Sequence, residues 1–82
     1  MNDLLWLLRW LHRPGARRSI GDVSHRDYMA NLLPDERWHA SAHAFNKTGS
    51  VDLTLHVHGY GRTPLRALRN LSRHIQETEA GK

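Results

Sequence analysis

The chain has 82 residues, the length of one small domain, and leaves no room for a second hydrophobic core. It contains no cysteine, which excludes a disulfide framework and a zinc site built on thiolates. Twelve basic residues against eight acidic ones give a net charge of +4, and ten of the twelve are arginine. Such a charge favours an acidic partner, which can be a nucleic acid, an anionic membrane or an acidic protein surface.

The first segment, residues 1–12, is apolar and predicts a helix. Asn2 or Asp3 can cap its N-terminus, and Pro14–Gly15 ends it. The segment is too short to cross a bilayer, and it lacks the basic leader and the cleavage site of a signal peptide. We therefore expect no transmembrane segment and a cytoplasmic protein.

Trp6 and Trp10 lie four residues apart on one face of this helix, beside a face of leucines. An apolar arc of this width is typical of a helix that is packed into a core. The alternative is that the two tryptophans anchor a dimer, a partner protein or a membrane interface. The leucines of the adjacent face are Leu4, Leu7, Leu8 and Leu11.

Residues 13–19 are predicted to form a basic linker, and residues 24–33 a second helix. Ser24 and Asp27 have the spacing of a capping box at its start, and a proline follows its end. Residues 20–23 can instead form a short strand. The arginines of the linker are Arg13, Arg17 and Arg18.

Residues 37–58 alternate between two sets of side chains and predict a β-hairpin. A loop of residues 46–49 would place Ala44 opposite Val51, with the aliphatic side chains facing the core. The same register predicts three pairs on the outward face, which are His43–Asp52, Ser41–Thr54 and His39–His56.

Four of the seven histidines, His39, His43, His56 and His58, project from this outward face. Histidines on neighbouring strands can bind zinc or nickel, or act as acid and base on a phosphodiester. The sequence supplies neither chemistry with the orienting residues that it needs. We therefore expect a secondary contact face for a partner, with no catalytic residue, no metal site and no cofactor, and hence no enzyme.

Residues 63–78 predict a helix that Thr63 caps and Pro64 begins. The preceding Gly-Tyr-Gly, residues 59–61, is expected to form the turn out of the hairpin. The helix should bury an apolar face against the hairpin. The residues of that face are Leu65, Leu68, Leu71 and Ile75, and Ala67 allows a close approach.

Four arginines mark this helix: Arg62 precedes the cap, and Arg66, Arg69 and Arg73 lie on successive turns. Their spacings of four, three and four place them near one helical stripe. No acidic residue interrupts the stripe, although surface helices commonly pair opposite charges along one face. The sequence therefore predicts that these four arginines bind a partner that supplies the negative charge.

Residues 59–75 resemble the strand–turn–helix element of HicB-type antitoxins, which has the pattern G-x-T-x-x-x-A-x-x-N. Here that pattern runs from Gly61 through Thr63 and Ala67 to Asn70. The segment is also similar to the glycine-rich turn into the last helix of double-stranded-RNA-binding domains. The resemblance implies a hairpin followed by a packed helix, within a degenerate double-stranded-RNA-binding-like fold, and an antitoxin-like regulator.

Residues 1–82 are thus predicted to form one α+β domain with two N-terminal helices, a β-hairpin, and a C-terminal helix packed on one face of the hairpin. Two strands leave two open edges, so we expect a homodimer through the hairpin edge or a partner that covers it. The predicted function is that of a small regulatory protein without catalysis, similar in size to antitoxins and phage-encoded inhibitors. It would dock its arginine-rich helix on an acidic macromolecular surface. The alternatives are RNA or DNA binding through the same stripe and the linker arginines, and metal binding by the histidine cluster.

Overall fold

The computed structural model describes residues 2–26, 31–46 and 53–81, which form two helices and an antiparallel sheet. This architecture agrees with the predicted α+β class. A 3-10 turn, Pro34–Glu36, precedes the central strand. The main elements are helix α1 (Asp3–Leu11), strands β1 (Ala16–Ile20), β2 (Ser24–His25), β3 (Trp38–Asn46) and β4 (Leu53–Gly61), and helix α2 (Pro64–Ala80).

Strand β3 lies at the centre of the sheet. Strand β4 pairs with it over nearly its whole length, with a bulge between Ala44 and Phe45. The opposite edge of β3 is shared by β1, which pairs with residues 42–46, and by β2, which pairs with residues 38–39. The central strand therefore has hydrogen-bonding partners on both sides, which a two-stranded hairpin would lack.

The prediction of a second N-terminal helix over residues 24–33 is wrong at both ends of this range. Ser24–His25 form strand β2, and residues 31–33 are not helical. Residues 16–19 of the predicted linker form strand β1 together with Ile20, the first residue of the alternative short strand over 20–23. Both segments hydrogen-bond to the backbone N–H and C=O groups on the second edge of β3. This pairing with a distant strand outweighs the secondary structure that their local sequence favours. Residues 27–30 of the predicted helix lie outside the described residues.

The hairpin register differs from the predicted one by four residues, because Ala44 lies opposite Leu55 instead of Val51. Between Trp38 and Ala44 this even shift leaves the side chains on their predicted faces, since side chains alternate with a period of two. Beyond the bulge, Phe45 lies opposite Leu53, a shift of three residues. Residues 47–52, which contain most of the predicted loop, lie outside the described residues. The observed outward pairs are His43–His56, Ser41–His58 and His39–Tyr60, in place of His43–Asp52, Ser41–Thr54 and His39–His56.

Both helices pack on one face of the sheet, and the core lies between them and the strands. The β3 side of this face carries only alanines in its central part, so the helices approach the sheet closely. The opposite face is the one that bears the outward histidines. The buried hydrophobic residues of the core are Leu7, Trp10, Ala40, Ala42, Ala44, Leu55, Val57, Ala67, Leu71 and Ile75.

Gly59 and Gly61 bring the backbone of α2 directly onto strand β4. A Cβ atom on Gly59 would lie 2.5 Å from the carbonyl oxygen of Ala67 and 2.6 Å from the Cα of Leu71. A Cβ atom on Gly61 would lie 2.5 Å from the backbone nitrogen of Ala67. The predicted turn at residues 59–61 is therefore wrong: these residues end β4, and their glycines serve a close helix–strand contact.

The two tryptophans of α1 pack within the domain. Trp10 is fully buried, and its indole Nε1 donates a hydrogen bond to Glu79 Oε2 at 3.1 Å. Trp6 is partly buried against the core, and the guanidinium group of Arg13 lies 5.6 Å from its ring. Leu8, from the predicted leucine face, is instead 53% exposed. Trp10 is therefore inaccessible to a partner of the folded domain.

Two carbonyl groups of β4 accept hydrogen bonds from side chains of α2. Asn70 Nδ2 donates to the carbonyl of Tyr60, and His74 Nδ1 donates to the carbonyl of His58 at 2.7 Å. Among the described strands β4 pairs with β3 alone, so its outer side is where a second copy would add. The two side chains leave fewer acceptors for such pairing, and dimerisation through the hairpin edge stays a prediction.

Candidate functional site

Helix α2 carries three of the four predicted arginines on its outer side. Its first turn is fixed by Thr63, whose Oγ1 accepts a hydrogen bond from the backbone N–H of Arg66 at 3.2 Å. The apolar residues of α2 pack on the sheet, although Leu65, predicted to be buried, is 48% exposed. Side chains three and four positions apart on the other side then point to solvent. Arg66, Arg69 and Arg73 are all exposed there, and we call them the arginine face.

Two of the predicted arginines are paired with carboxylates from elsewhere in the chain. Arg62 Nε lies 3.2 Å from Asp35 Oδ1, and Arg73 Nε lies 2.9 Å from Asp3 Oδ2. The sequence does not reveal these pairs, because the acidic residues lie in the 3-10 turn and in the first turn of α1. Both arginines keep more than half of their side-chain surface exposed, at 59% and 67%, so the pairs contribute little to stability.

Arg66 and Arg69 form no salt bridge with any carboxylate of the described residues. Together with Asn70 and Arg73 they line a concavity of about 180 Å³. Sites for drug-sized ligands have volumes of about 300–1,000 Å³, whereas this concavity suits a single carboxylate or phosphate group. The structure thus brings three arginines around one shallow anion-sized depression.

Asp3 connects α1 to the arginine face. Its carboxylate accepts hydrogen bonds from Arg73 Nε at 2.9 Å and from Gln76 Nε2 at 3.2 Å. The bond from Arg73, followed by the bond from Gln76, holds the pKa of Asp3 below its ordinary value of 3.8. Ser72 Oγ also donates to the backbone carbonyl of Asp3 at 2.7 Å. Asp3 is therefore ionised at neutral pH and neutralises one end of the arginine face.

A continuous row of rings crosses the outward face of the sheet. The observed register brings His43 beside His56 and His39 beside His58, with ring centroids 4.3 Å and 4.9 Å apart. The rings of His56 and His58 are 4.6 Å apart, which joins the two pairs. We call the whole set the ring row, and in order it consists of Tyr60, His39, His58, His56, His43 and Phe45.

An arginine stands at each end of the ring row. The ring centroid of Tyr60 lies 5.2 Å from that of His39, and the guanidinium carbon of Arg26 lies 4.9 Å from the Tyr60 ring. At the other end, Arg17 of β1 is the register partner of Phe45. Directly opposed residues of an antiparallel pair share a face, so Arg17 projects on the side of the ring row.

The histidines of the ring row are packed and hydrogen-bonded to one another. His39 Nε2 and His58 Nδ1 are 2.6 Å apart and share a hydrogen bond. Zinc-bound imidazole nitrogens each lie about 2.0–2.1 Å from the metal at separate vertices of a tetrahedron, which sets them farther apart than this. Among the residues that the structure describes, no group of three or more His, Asp or Glu side chains is arranged to hold a metal ion. In this arrangement His39 and His58 are hydrogen-bonded to each other, and metal binding by the histidine cluster stays an untested prediction.

Burial lowers the pKa of His39 and of His58 below the ordinary value of 6.5. The positive charges of Arg26 and then of His56 lower the pKa of His39 further. For His58 the next contributions come from His56 and His39. These two imidazoles therefore stay neutral to a lower pH than an isolated histidine does.

Acidification is expected to reduce the free energy of unfolding below about pH 6.5. In that range an unfolded chain binds protons at His39 and His58 that the folded protein does not yet bind. The stabilising contribution is complete above pH 6.5 and is lost as the pH falls towards the lower pKa values of the folded protein. Urea unfolding between about pH 7.5 and about pH 5 measures the slope.

The double variant His39→Gln/His58→Gln provides the comparison for this pH experiment. Glutamine keeps a polar side chain of similar reach and does not titrate, so the variant should show a shallower loss of stability on acidification. An unchanged slope would mean that other groups cause the pH dependence.

The linker arginines separate into two kinds. Arg13 Nη1 lies 3.3 Å from Glu79 Oε1, and Arg18 Nη1 donates to the carbonyl of Arg13 at 2.6 Å. Arg18 also lies 5.5 Å from the ring of Trp10. These two arginines hold β1 against the helices, whereas Arg17 faces the ring row.

The arginine face and the ring row lie on opposite sides of the molecule. Helix α2 packs on the core face of the sheet and directs its arginines away from it, while the ring row covers the other face. The sequence predicted the arginines and the outward histidines as a primary and a secondary contact with one partner. A flat partner surface can contact only one of these two sides. The arginine face and the ring row are therefore two separate candidate binding surfaces.

Within residues 2–26, 31–46 and 53–81, neither helix has the length and apolar character that a membrane crossing requires. Comparison of the chain with protein-family models, with curated proteins and with solved structures finds no match. The two surfaces are therefore interpreted from their own chemistry.

Proposed function

We propose that this protein is a small non-catalytic binding protein that docks the arginine face on an acidic protein surface. The observation that carries this proposal is the state of Arg66 and Arg69, two neighbouring exposed arginines without a salt bridge to a described carboxylate. Guanidinium groups held side by side repel each other, and a partner that supplies negative charge relieves this repulsion. The arginine face is thus suited to receive carboxylates.

The spacing of the arginines within the arginine face indicates how the carboxylates of a partner should be spaced. Arg66 and Arg73 are seven residues apart, which is about 10 Å along a helix at 1.5 Å per residue. Each guanidinium group offers a planar fork of donors that matches one carboxylate. A helix with acidic residues three or four positions apart places its carboxylates at a similar spacing, about one turn from each other. We therefore expect an acidic helix or a comparable row of carboxylates.

The double variant Arg66→Glu/Arg69→Glu is expected to lose at least about tenfold in affinity for an acidic polypeptide, because each substitution replaces attraction by repulsion. Labelled poly-glutamate is the probe, and fluorescence anisotropy at low salt is the measurement. The matched control is Arg9→Glu/Arg17→Glu, which makes the same change in net charge at exposed arginines outside the arginine face. Equal losses in both variants would mean that net charge alone drives binding and would contradict the proposal.

Asp3→Asn tests the same proposal in the opposite direction. The substitution removes the carboxylate that pairs with Arg73 and frees that guanidinium group for a partner. Binding of poly-glutamate should become tighter, by about twofold to fivefold, which is the effect of an added exposed ion pair. Asp35→Asn, which frees Arg62 outside the concavity, should have a smaller effect. Weaker binding by Asp3→Asn in a protein of unchanged fold would speak against the arginine face.

A further inference from the structure

The outward face of the sheet is a second surface, which the proposed function does not use. Both helices lie on the other side of the sheet, so neither covers it. The ring row follows β3 from residue 39 to residue 45, which is about 20 Å at 3.3–3.4 Å per residue. His56 and Tyr60 are its exposed members, and the exposed fraction of Tyr60 is 39%. The face is long enough to hold an extended ligand.

The charge of this face comes from arginines at its ends. Within the described parts of the chain, strands β1 to β4 contain no aspartate and no glutamate; Asp52, predicted on this face, lies outside the described residues. Arg17 lies at the Phe45 end, and Arg26 lies over Tyr60 at the other end. Glu36 reaches the second end, where it lines a concavity with Arg26 and Tyr60. The centre of the ring row is therefore apolar and imidazole-rich, and it is flanked by cations.

We infer that this outward face binds single-stranded nucleic acid. Unpaired bases stack on exposed aromatic and imidazole rings, which His56 and Tyr60 provide. The phosphates of an extended strand can reach the exposed Arg17 at the Phe45 end of the row. At the other end Arg26 also donates a hydrogen bond to the carbonyl of Glu36 at 3.4 Å. Of the half-buried histidines between these two arginines, His39 and His58 each use one ring nitrogen on their shared hydrogen bond, and their second ring nitrogens and those of His43 can hydrogen-bond to base edges.

The chemistry of the ring row favours this ligand over two others. A duplex keeps the faces of its bases stacked inside the helix, where the exposed rings cannot reach them. An acidic peptide supplies charge but has few planar faces for His56 and Tyr60 to contact. The inference concerns a different face from the arginine face, so either can fail without the other.

The probe is a fluorescein-labelled oligothymidylate of roughly 12 nucleotides, a length within the site sizes of single-strand-binding folds. Anisotropy at low salt is expected to show binding, and the matching duplex should bind at least about tenfold more weakly. His56→Ala/Tyr60→Ala should reduce affinity by more than about tenfold, because one stacked base contributes roughly fivefold to 150-fold. Arg17→Glu should weaken binding and make it less dependent on salt.

Three variants serve as controls for this experiment. His56→Phe/Tyr60→Phe keeps a ring at both positions and should retain oligothymidylate binding, which separates stacking from a general loss of structure. At roughly 150 mM salt, where the Debye length is about 8 Å, Arg66→Glu/Arg69→Glu should bind the oligonucleotide within about twofold of the unaltered protein, since the arginine face points the other way and its charge is screened. His56→Ala/Tyr60→Ala should bind poly-glutamate normally for the same reason.

Several outcomes would overturn the inference. Absence of oligothymidylate binding at low salt is the first, and equal affinity for single strand and duplex is the second. Loss of binding in Arg66→Glu/Arg69→Glu, with binding retained in His56→Ala/Tyr60→Ala, would assign nucleic acid to the arginine face instead. Loss of poly-glutamate binding in His56→Ala/Tyr60→Ala would assign an acidic peptide to the ring row.

Discussion

Gly59→Val is expected to prevent α2 from docking on the sheet and thereby to unfold most of the domain. A Cβ atom at residue 59 would lie 2.5 Å from the carbonyl oxygen of Ala67 and 2.6 Å from the Cα of Leu71. These are backbone atoms in the middle of a helix, so no side-chain rotation can relieve the clash. Adding side-chain atoms to a well-packed core typically costs about 1–3 kcal/mol, and we expect more than about 3 kcal/mol here because the clashing atoms belong to the backbone. Domains of this size have total stabilities of only about 4–12 kcal/mol.

Urea unfolding followed by circular dichroism measures this effect, and Gly81→Ala is the matched control. A Cβ atom at residue 81 would lie 3.6 Å from its nearest neighbour, the carbonyl oxygen of Glu77, which is an ordinary contact. Gly81→Ala should therefore change the unfolding free energy by less than about 1 kcal/mol. Near-normal stability of Gly59→Val would show that α2 does not rest on β4 as described.

Trp10→Ala is expected to destabilise the domain by about 3–5 kcal/mol, the usual effect of removing a fully buried aromatic side chain. Trp10 has no exposed surface, and its indole N–H is bonded to Glu79. The substitution would leave a large cavity and an unpaired acceptor on the carboxylate. Thermal and urea unfolding report the loss.

Trp6→Ala is the natural comparison, since the two tryptophans lie one turn apart on the same helix. Trp6 is only partly buried, so its removal should cost less than half as much. Should Trp10→Ala instead retain full stability and change only the oligomeric state in sedimentation, the tryptophan would be a partner anchor rather than a core residue.

The helix ends could be predicted because their chemistry is local. The side chain of Asn2 accepts a hydrogen bond from the backbone N–H of Leu4, and Thr63 caps α2 immediately before Pro64. Each cap involves residues within three positions of one another, so the sequence contains all the information needed. The outward projection of the histidines likewise follows from the period of two in a strand.

The first two strands could not be predicted because they depend on distant partners. Residues 16–20, Ala-Arg-Arg-Ser-Ile, have no strong alternation of apolar side chains. They become a strand because β3 has a second edge to satisfy. Ser24 is a second example: the sequence predicts it as a helix cap, but it pairs with His39 in the sheet.

Each of the two candidate binding surfaces also has features that the sequence predicts and features that depend on distant residues. The arginine stripe was visible in the sequence, whereas the carboxylates that neutralise its two outer members come from α1 and from the 3-10 turn. The four outward histidines were also visible. Their order within the ring row was not, because a register shift of four residues exchanges every cross-strand neighbour.

At the end of strand β4, alternating residues belong to the two opposite sides of the molecule. In the sequence His58-Gly59-Tyr60-Gly61, the first and third residues belong to the ring row, and the second and fourth receive the backbone of α2. Deleting one residue upstream in β4 would exchange these roles, so that rings would meet the helix and glycines would face solvent. Substitutions, insertions and deletions in these four residues should therefore be tolerated far less than elsewhere on the surface. A saturation library of these four residues, scored for folding and for each kind of binding, would measure the loss of folding and the loss of binding together.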